Sequence, residues 1–321
     1  METSDLTVLV SAAGGMKTRG LVDELRAHDV TVVGVDADPY SYGLQYADSG
    51  YVVPHGDDPA FVDELLQIVR REDVDALLCS PESEVLAVSE ERQAFENVGC
   101  DPLCPDHAVV QQCADKRQTK RFFERHDVPT PETYADAASA ETPCIVKPRR
   151  GRGSTGIYVA TTQQELDVYA SQVDVPIFEE YVEGTEYTVD VLAEGDGTVL
   201  SVVPRRRHSI ESGKSVTGVT VSAPTIRQHC RRIAEALPLR GPACIQCIRT
   251  DDGLQFIEVN TRFGGGSVLS MQADDELVPN LLRMIRGDQT TPSEEYTEDL
   301  VMLRNYDELF VDNSKIPSDG S

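Results

Sequence analysis

The stretch Gln255–Ser267 constrains this chain more than any other. Phe256 to Asn260 has the length and apolar content of a half-buried strand, with Phe256, Ile257 and Val259 around Glu258. Glu258 and Asn260 stand two residues apart, so a strand sends both side chains to one face. A carboxylate and an amide oxygen there, with Arg262 just beyond, suit a Mg²⁺ ion better than they suit a core. Gly264, Gly265 and Gly266 let the backbone approach a ligand closely or make a turn. Upstream, Pro242 to Arg249 is a second apolar run interrupted by Gln246, and Asp252-Gly253 is a hairpin signal. That hairpin lays Gln246 beside Glu258 and Asn260. The bland alternative is a solvated strand, because Glu-x-Asn is a common pattern.

The 321 residues carry 55 acidic and 29 basic side chains, a net charge of −26, which disfavours a nucleic-acid partner. Only six lysines occur: Lys17, Lys116, Lys120, Lys147, Lys214 and Lys315. An acidic, lysine-poor globular chain fits a salt-rich cytoplasm, where self-repulsion is screened, so a halophilic source is expected. The N-terminal residues have the wrong sign for a targeting segment, and no apolar run approaches the ~20 residues of a membrane span. Eight cysteines without a secretory signal read as reduced thiols, and Cys244-x-x-Cys247 lies inside a strand pattern with no second pair.

From the start, short apolar strands (Thr7–Val10, Val30–Val35, Val74–Cys79) alternate with helices, which implies parallel βαβ units. Asp36 follows the Gly14-Gly15 turn at the spacing of a dinucleotide fold, but the full G-x-G-x-x-G is missing. Lys116 and Lys120 lie one turn apart on a helix from Asp115 to His126, and Lys116 reads locally as a solvated lysine. Strand Cys144–Pro148 ends on Lys147-Pro148 and runs into Gly151-Arg152-Gly153-Ser154-Thr155-Gly156, followed by another strand. A strand, a glycine-rich loop and a strand make a hairpin flap able to fold over phosphates. Ile177 to Val182 leads through Gly184 to Glu186, where an extended edge suits an adenine and Glu186 can accept from ribose hydroxyls. A basic loop containing Arg205, Arg206, Arg207, His208 and Lys214 would attract an anionic substrate, and with Phe263–Ser267, including Gly265, it forms the expected acceptor surface.

Together these stretches resemble the ATP-grasp superfamily, closest to single-module relatives of the carbamoyl-phosphate synthetase large subunit. The matching residues are Lys116, Lys147-Pro148 with the glycine flap, Glu179-Glu180-Tyr181-Val182 with Gly184 and Glu186, Gln246, Glu258-x-Asn260-x-Arg262-Phe-Gly-Gly-Gly, and Met302-Leu303-Arg304. The resemblance implies an α/β ATP-grasp fold behind an N-terminal Rossmann-like pre-ATP-grasp domain. The expected boundaries are 1–110 for that domain and 111–290 for ATP-grasp with a lid near 115–180, leaving 291–321 as a strand and tail. It implies that Lys116 and Lys147 hold ATP phosphates under the flap of Gly151, Gly153, Ser154, Thr155 and Gly156. Glu179, Glu180 and Val182 would meet adenine, and Glu186 the ribose. Gln246, Glu258 and Asn260 would bind two Mg²⁺ ions, or Mn²⁺ in their place, and Arg262 would stabilise the transferring phosphoryl group. Thr261 departs from the usual proline, and one module without a duplicated half or glutaminase partner is not expected to make carbamoyl phosphate.

The expected activity is a cytoplasmic, ADP-forming carboxylate–amine ligase working through an acyl phosphate on small-molecule substrates, with a homodimer as candidate assembly. Two competing readings are an ATP-binding regulatory protein on the same fold and an NAD(P)-linked oxidoreductase using the first domain.

Overall fold

The computed structural model describes residues 6–151, 155–211, 214–305 and 307–317, without the side chains of 210, 211, 214 and 215. Gly153 and Ser154, and the Lys214 side chain, therefore lie outside the described residues.

The first unit runs β1 (Thr7–Ser11), α1 (Thr18–Arg26), β2 (Thr31–Asp36), α2 (Gly43–Tyr46), β3 (Ser49–Val52), α3 (Phe61–Arg71), β4 (Ala76–Leu78), α4 (Glu82–Glu90), α5 (Arg92–Glu96) and β5 (Asp101–Pro102). Its strands form a parallel sheet in the order β3-β2-β1-β4-β5. The central strands are buried on both faces, which is why they read as continuous apolar runs rather than alternating ones. The strand order reverses between β1 and β4. In such sheets the crevice at the carboxyl ends of the strands flanking the reversal receives ligands. Here those ends carry Lys17 and the Ser80-Pro81 step into α4. Two helices, α4 and α5, fill the connection from β4 to β5, beginning at Glu82.

Two helices follow, α6 (His107–Ala114) and α7 (Lys116–Arg125). Asp115 caps α7, its side chain accepting from the N–H groups of Arg117 and Gln118. A four-stranded antiparallel sheet then contains β6 (Thr133–Tyr134), β7 (Cys144–Pro148), β8 (Tyr158–Ala160) and β9 (Pro176–Glu180) in the order β6-β9-β7-β8, backed by α8 (Gln163–Gln172). Helix α7 touches that sheet through Lys116 and Lys120 and turns its apolar side to another core. Phe122 and Phe123 join the core beneath the next sheet, with Phe123 and Phe256 ring centroids 6.3 Å apart.

The remaining elements are β10 (Thr185–Glu194), β11 (Val199–Glu211), β12 (Lys214–Thr220), α9 (Pro224–Ala236), β13 (Arg240–Arg249), β14 (Leu254–Asn260), α10 (Ser267–Ala273), α11 (Leu277–Arg286) and β15 (Val301–Leu303). The six strands form an antiparallel sheet ordered β14-β13-β10-β11-β12-β15. One face buries Val189, Val191, Ile245, Phe256 and Val259 against α9 and α7. Phe256 and Val259 are three residues apart, a spacing that a regular strand sends to opposite faces. A register shift resolves this: Gln246 pairs with Glu258 and the adjacent Cys247 with Phe256, leaving Ile257 as the extra residue of a bulge. Both apolar side chains reach the core, while Glu258 and Asn260 turn to the opposite face.

The basic segment expected as a loop is the β11–β12 hairpin, which places Arg205 opposite Thr188 and Thr220. Its arginines occupy strand positions because carboxylates stand on the neighbouring strand β10.

Candidate active site

The outward face of the antiparallel sheet carries a row of polar residues. Glu258 of β14 lies opposite Gln246 of β13, Gln246 opposite Thr188 of β10, and Thr188 opposite Arg205 of β11. Asn260 is one step along the strand; its Nδ2 donates to Glu258 Oε1 at 2.8 Å, and Arg262 Nη2 donates to Asn260 Oδ1 at 3.2 Å. Glu258, Asn260, Gln246 and Arg262 are all half-buried, open enough to meet a ligand. Among the described residues no three His, Cys, Asp or Glu side chains gather as a metal site. The Gln246–Glu258–Asn260 set is of another kind, one carboxylate with two amide oxygens. That donor set fits Mg²⁺ when phosphate oxygens and water complete the shell.

Lys116 opens α7 and Lys147 stands near the end of β7, and the two elements are joined. Asp115 receives Arg149 Nε at 2.9 Å and Nη2 at 2.5 Å, and Lys116 N donates to Arg149 O at 3.1 Å. The start of α7 is thereby tied to the end of β7. Burial pushes the Asp115 carboxyl up, but the bonds from Arg149 and Gln118 outweigh it and hold it at about 2. Lys116 Nζ donates to Gly151 O at 2.9 Å, on the flap. Lys147 Nζ lies 2.7 Å from Glu179 Oε2, and both residues are buried. Glu180 is exposed, with its N–H given to Glu132 O, and Val182 is half-buried beyond the strand end. Thr155 and Gly156 form the turn into β8, where Gly156 has φ +72°, a left-handed backbone favouring glycine. Glu186 is paired with Arg207.

Glu82 shows that these groups share one space. Burial raises its carboxyl, Lys116, Arg262 and Arg150 lower it, and Glu258 raises it. Lys116 of α7, Arg150 after β7 and Arg262 after β14 thus all act electrostatically on one carboxylate of the first unit. Nothing local in the sequence marks Glu82; the signal is its position at the carboxyl end of β4, beside the strand-order reversal.

Lys17 is a second residue that sequence reasoning missed. It is buried, and its Nζ donates to Ser80 Oγ at 2.6 Å and to Phe263 O at 3.2 Å. It thus bridges the crevice of the parallel sheet and reaches the glycine segment. Burial first, then Arg262, lowers its ammonium to about 7, against Glu84, Asp190 and Cys244, which raise it.

Beyond Arg262 the chain folds back over the sheet. A Cβ on Gly264 would stand 3.1 Å from Cys244 Sγ and 3.5 Å from Asp190 Oδ1, so glycine lets the backbone lie this close. Beneath it Arg205 is fully buried, its Nε donating to Asp190 Oδ2 at 2.6 Å and to Ser270 Oγ at 3.1 Å. Arg205 is thus a buried, anchored strand residue rather than a mobile loop cation. Its Nη2 has no hydrogen-bond partner, and neither do Ser267 Oγ and Arg304 Nη1. Arg304 Nη2 donates to Gly265 O at 2.6 Å, and Arg205 lies close enough to lower the Arg304 guanidinium, after burial. Buried donors without acceptors are costly, and three around one glycine segment make a cradle for an anion. His208 is exposed beside Arg206, with 3.1 Å between Nε2 and Arg206 Nη2, on the outer part of the hairpin.

The first unit shows no free carboxylate for a dinucleotide ribose at Asp36. Its oxygens accept from Gly14 N at 2.7 Å and Asp38 N at 3.0 Å, so the residue closes its own turn. No helix among the described residues is long and apolar enough to cross a membrane.

Known proteins resemble this chain along much of its length. Residues 113–266 match the family model of the ATP-grasp domain, and residues 9–103 that of the PylC-like N-terminal domain. The 3-methyl-D-ornithine–L-lysine ligase of Methanosarcina barkeri is 30% identical over 234 residues, which cover 72% of this chain and 60% of that enzyme. The arginine-specific carbamoyl phosphate synthase large chain of Halalkalibacterium halodurans is 26% identical over 262 residues, covering 74% of this chain and 24% of that one. The biotin carboxylase domain of Hydrogenobacter thermophilus 2-oxoglutarate carboxylase, a dimer solved with MgADP, ADP and bicarbonate, superposes with a TM-score of 0.74 at 16% identity. That superposition covers 92% of this chain and 73% of the other, and is a likeness of fold.

Proposed function

We propose that this chain, an ATP-grasp protein with a PylC-like N-terminal domain, is an ADP-forming ligase that joins a small carboxylate to an amine. The observation that carries the reading is the polar row in which Glu258 faces Gln246 and is continued by Asn260 and Arg262, with Lys116 and Arg262 both acting on the Glu82 carboxyl. It is a cleft with cations on one wall and magnesium-type ligands on the other.

Lys116 and Lys147 hold the polyphosphate as point charges, and the segment Gly151, Gly153, Ser154, Thr155 and Gly156 closes over it. Glu179 and the backbone of Glu180 and Val182 meet the adenine, and Glu186, steadied by Arg207, meets the ribose. Gln246, Glu258 and Asn260 would hold Mg²⁺, two ions in our reading or Mn²⁺ in their place, which would supply charge neutralisation at the phosphates. The substrate carboxylate oxygen attacks the γ-phosphorus, the bond to the β-bridging oxygen breaks, and ADP leaves. Arg262 stabilises the charge on the transferring group. The amine nitrogen then attacks the acyl carbon, the acyl C–O bond breaks, phosphate leaves and the amine gives up a proton. The closed flap keeps water from the acyl phosphate.

The free donors of Arg205, Arg304 and Ser267 favour an amino-acid-type substrate, whose carboxylate they bind. Arg207, His208, Lys214 and Gly265 lie at or near that surface in this reading. Glu82 and Glu84 would receive the ammonium end of the amine substrate. The domain boundaries we propose are 1–110, 111–290 and 291–321, and a homodimer is the proposed assembly, as in the biotin carboxylase neighbour.

The test is ADP release with MgATP in molar KCl against pools of amino acids and small carboxylates. Release that depends on one pool supports the ligase. ATP binding with no release from any pool would favour a regulatory nucleotide-binding protein.

A further inference from the structure

Three observations meet at one carboxylate. Glu179 is buried at the end of β9, and its Oε1 has no hydrogen-bond partner. Its Oε2 lies 2.7 Å from Lys147 Nζ and 3.7 Å from Lys120 Nζ. Lys120 is itself only 2% exposed, and its Nζ donates to Thr130 Oγ1 at 2.5 Å and to Pro131 O at 3.1 Å. Thr130 Oγ1 in turn donates to Phe256 O at 2.8 Å, on the strand that carries Glu258.

The two lysines are not equivalent. In the proposed reaction Lys147 serves phosphate, which draws its ammonium from the carboxylate. Lys120 has no such duty: its two oxygen acceptors fix it to the segment between α7 and β6. A buried carboxylate left without a cation is expensive. Lys120 is placed to remain when Lys147 is engaged.

We propose that Lys120 is a positioning residue for nucleobase selection: it holds Glu179 oriented, so that Oε1 accepts from the exocyclic amine of a 6-aminopurine and rejects a 6-oxopurine. This rests on the nucleotide site proposed above and adds a residue that touches neither base nor phosphate. A carboxylate whose second oxygen is pinned can turn its first in only one direction. Facing a 6-oxo group, that oxygen meets another acceptor and no donor, so the base is refused. The Lys120 ammonium is lowered to about 8, by burial first and by Lys147, with Glu179 and Glu124 raising it, and it keeps its proton at pH 7.

The experiment compares binding of MgATP and MgITP, which differ at the 6-position, by calorimetry. It uses the full chain and its Lys120→Met, Lys120→Arg and Glu179→Gln variants. The wild type is expected to prefer MgATP. Lys120→Met should lose about tenfold or more for MgATP, the cost of breaking a buried charge pair, with MgITP changed by less than about twofold. Lys120→Arg, which keeps the cation, should restore most of the preference. Equal weakening of both nucleotides would overturn the proposal and make Lys120 a strut of the connecting segment; so would an unchanged ratio. Should Lys120→Met fail to fold, Glu179→Gln tests the same contact, and a retained ATP preference there overturns the proposal. A wild type that binds neither nucleotide would defeat the ATP site itself, a result distinct from binding without base preference.

Discussion

Asp115→Asn tests how the cleft is assembled. Asp115 accepts from Arg117 N at 3.1 Å, Gln118 N at 3.2 Å, Gln118 Nε2 at 3.1 Å, Arg149 Nε at 2.9 Å and Arg149 Nη2 at 2.5 Å. Asparagine keeps an oxygen for the helix cap, so the substitution removes the charge and leaves the cap. The folded carboxyl titrates at about 2 against an ordinary value of 3.8. A folded value below the unfolded one stabilises the fold above pH 3.8, and that stability is lost as pH falls toward 2. Linkage makes the effect about 2 kcal/mol before screening. The Arg149 side chain is 38% exposed, which reduces it to about 1–2 kcal/mol. Thermal unfolding of wild type and Asp115→Asn at constant KCl should differ by a few degrees at pH 6. The gap should close between pH 4 and pH 2. Asp115→Ala also loses the cap and should cost about 1 kcal/mol more. Because Asp115 ties Lys116 to the flap base, the KM for MgATP should rise more than kcat falls. A stability gap independent of pH from 6 to 2 would refute the reasoning.

Other residues give equally definite outcomes. Glu258→Ala should lower ATP-dependent turnover by roughly 10²-fold or more, a loss typical of removing transition-state electrostatics, with folding checked by circular dichroism. Arg205→Ala removes the partner of buried Asp190 as well as the free Nη2 donor; it should raise substrate KM and lower the melting temperature together, whereas Arg304→Ala should raise KM with a smaller thermal cost. Lys17 is lowered to about 7 from 10.5, so between those values the unfolded chain holds more protons and rising pH favours the fold. Melting temperatures of wild type minus Lys17→Met should therefore increase from pH 7 to pH 10. A flat difference would show that Lys17 titrates normally in the fold.

The hairpin at the centre of the site was legible because its signals are local. Asp252-Gly253 set the turn, the polar interruptions marked Gln246 and Glu258, and antiparallel pairing then set those two opposite one another. The bulge at Ile257 was not legible, because it answers the burial of Phe256 and Val259 on a core built by distant helices. The run from Arg205 to Arg207 read as a solvated loop, since its neutralising partners Asp190 and Glu186 are separate in sequence and become neighbours only when β10 and β11 pair. Lys17 and Glu82 left no local trace. They matter because of where the parallel strand order reverses, and Lys17 meets Phe263 across 246 residues of chain. Lys120 read as a helix lysine one turn from Lys116; what distinguishes it is that its stem is buried and its head finds Thr130 and Pro131. The apparent dinucleotide spacing at Asp36 had a local cause instead, a carboxylate capping the turn that precedes it.

The most direct test of the ligase chemistry is oxygen transfer. The chain would be supplied with MgATP, an amine pool and carboxylates labelled with ¹⁸O, and the released phosphate examined by mass spectrometry. An acyl phosphate predicts one ¹⁸O atom in each phosphate formed, equimolar with ADP, with labelled phosphate forming roughly 10²-fold more slowly in Glu258→Ala. Unlabelled phosphate accompanying ADP and amide would contradict the account.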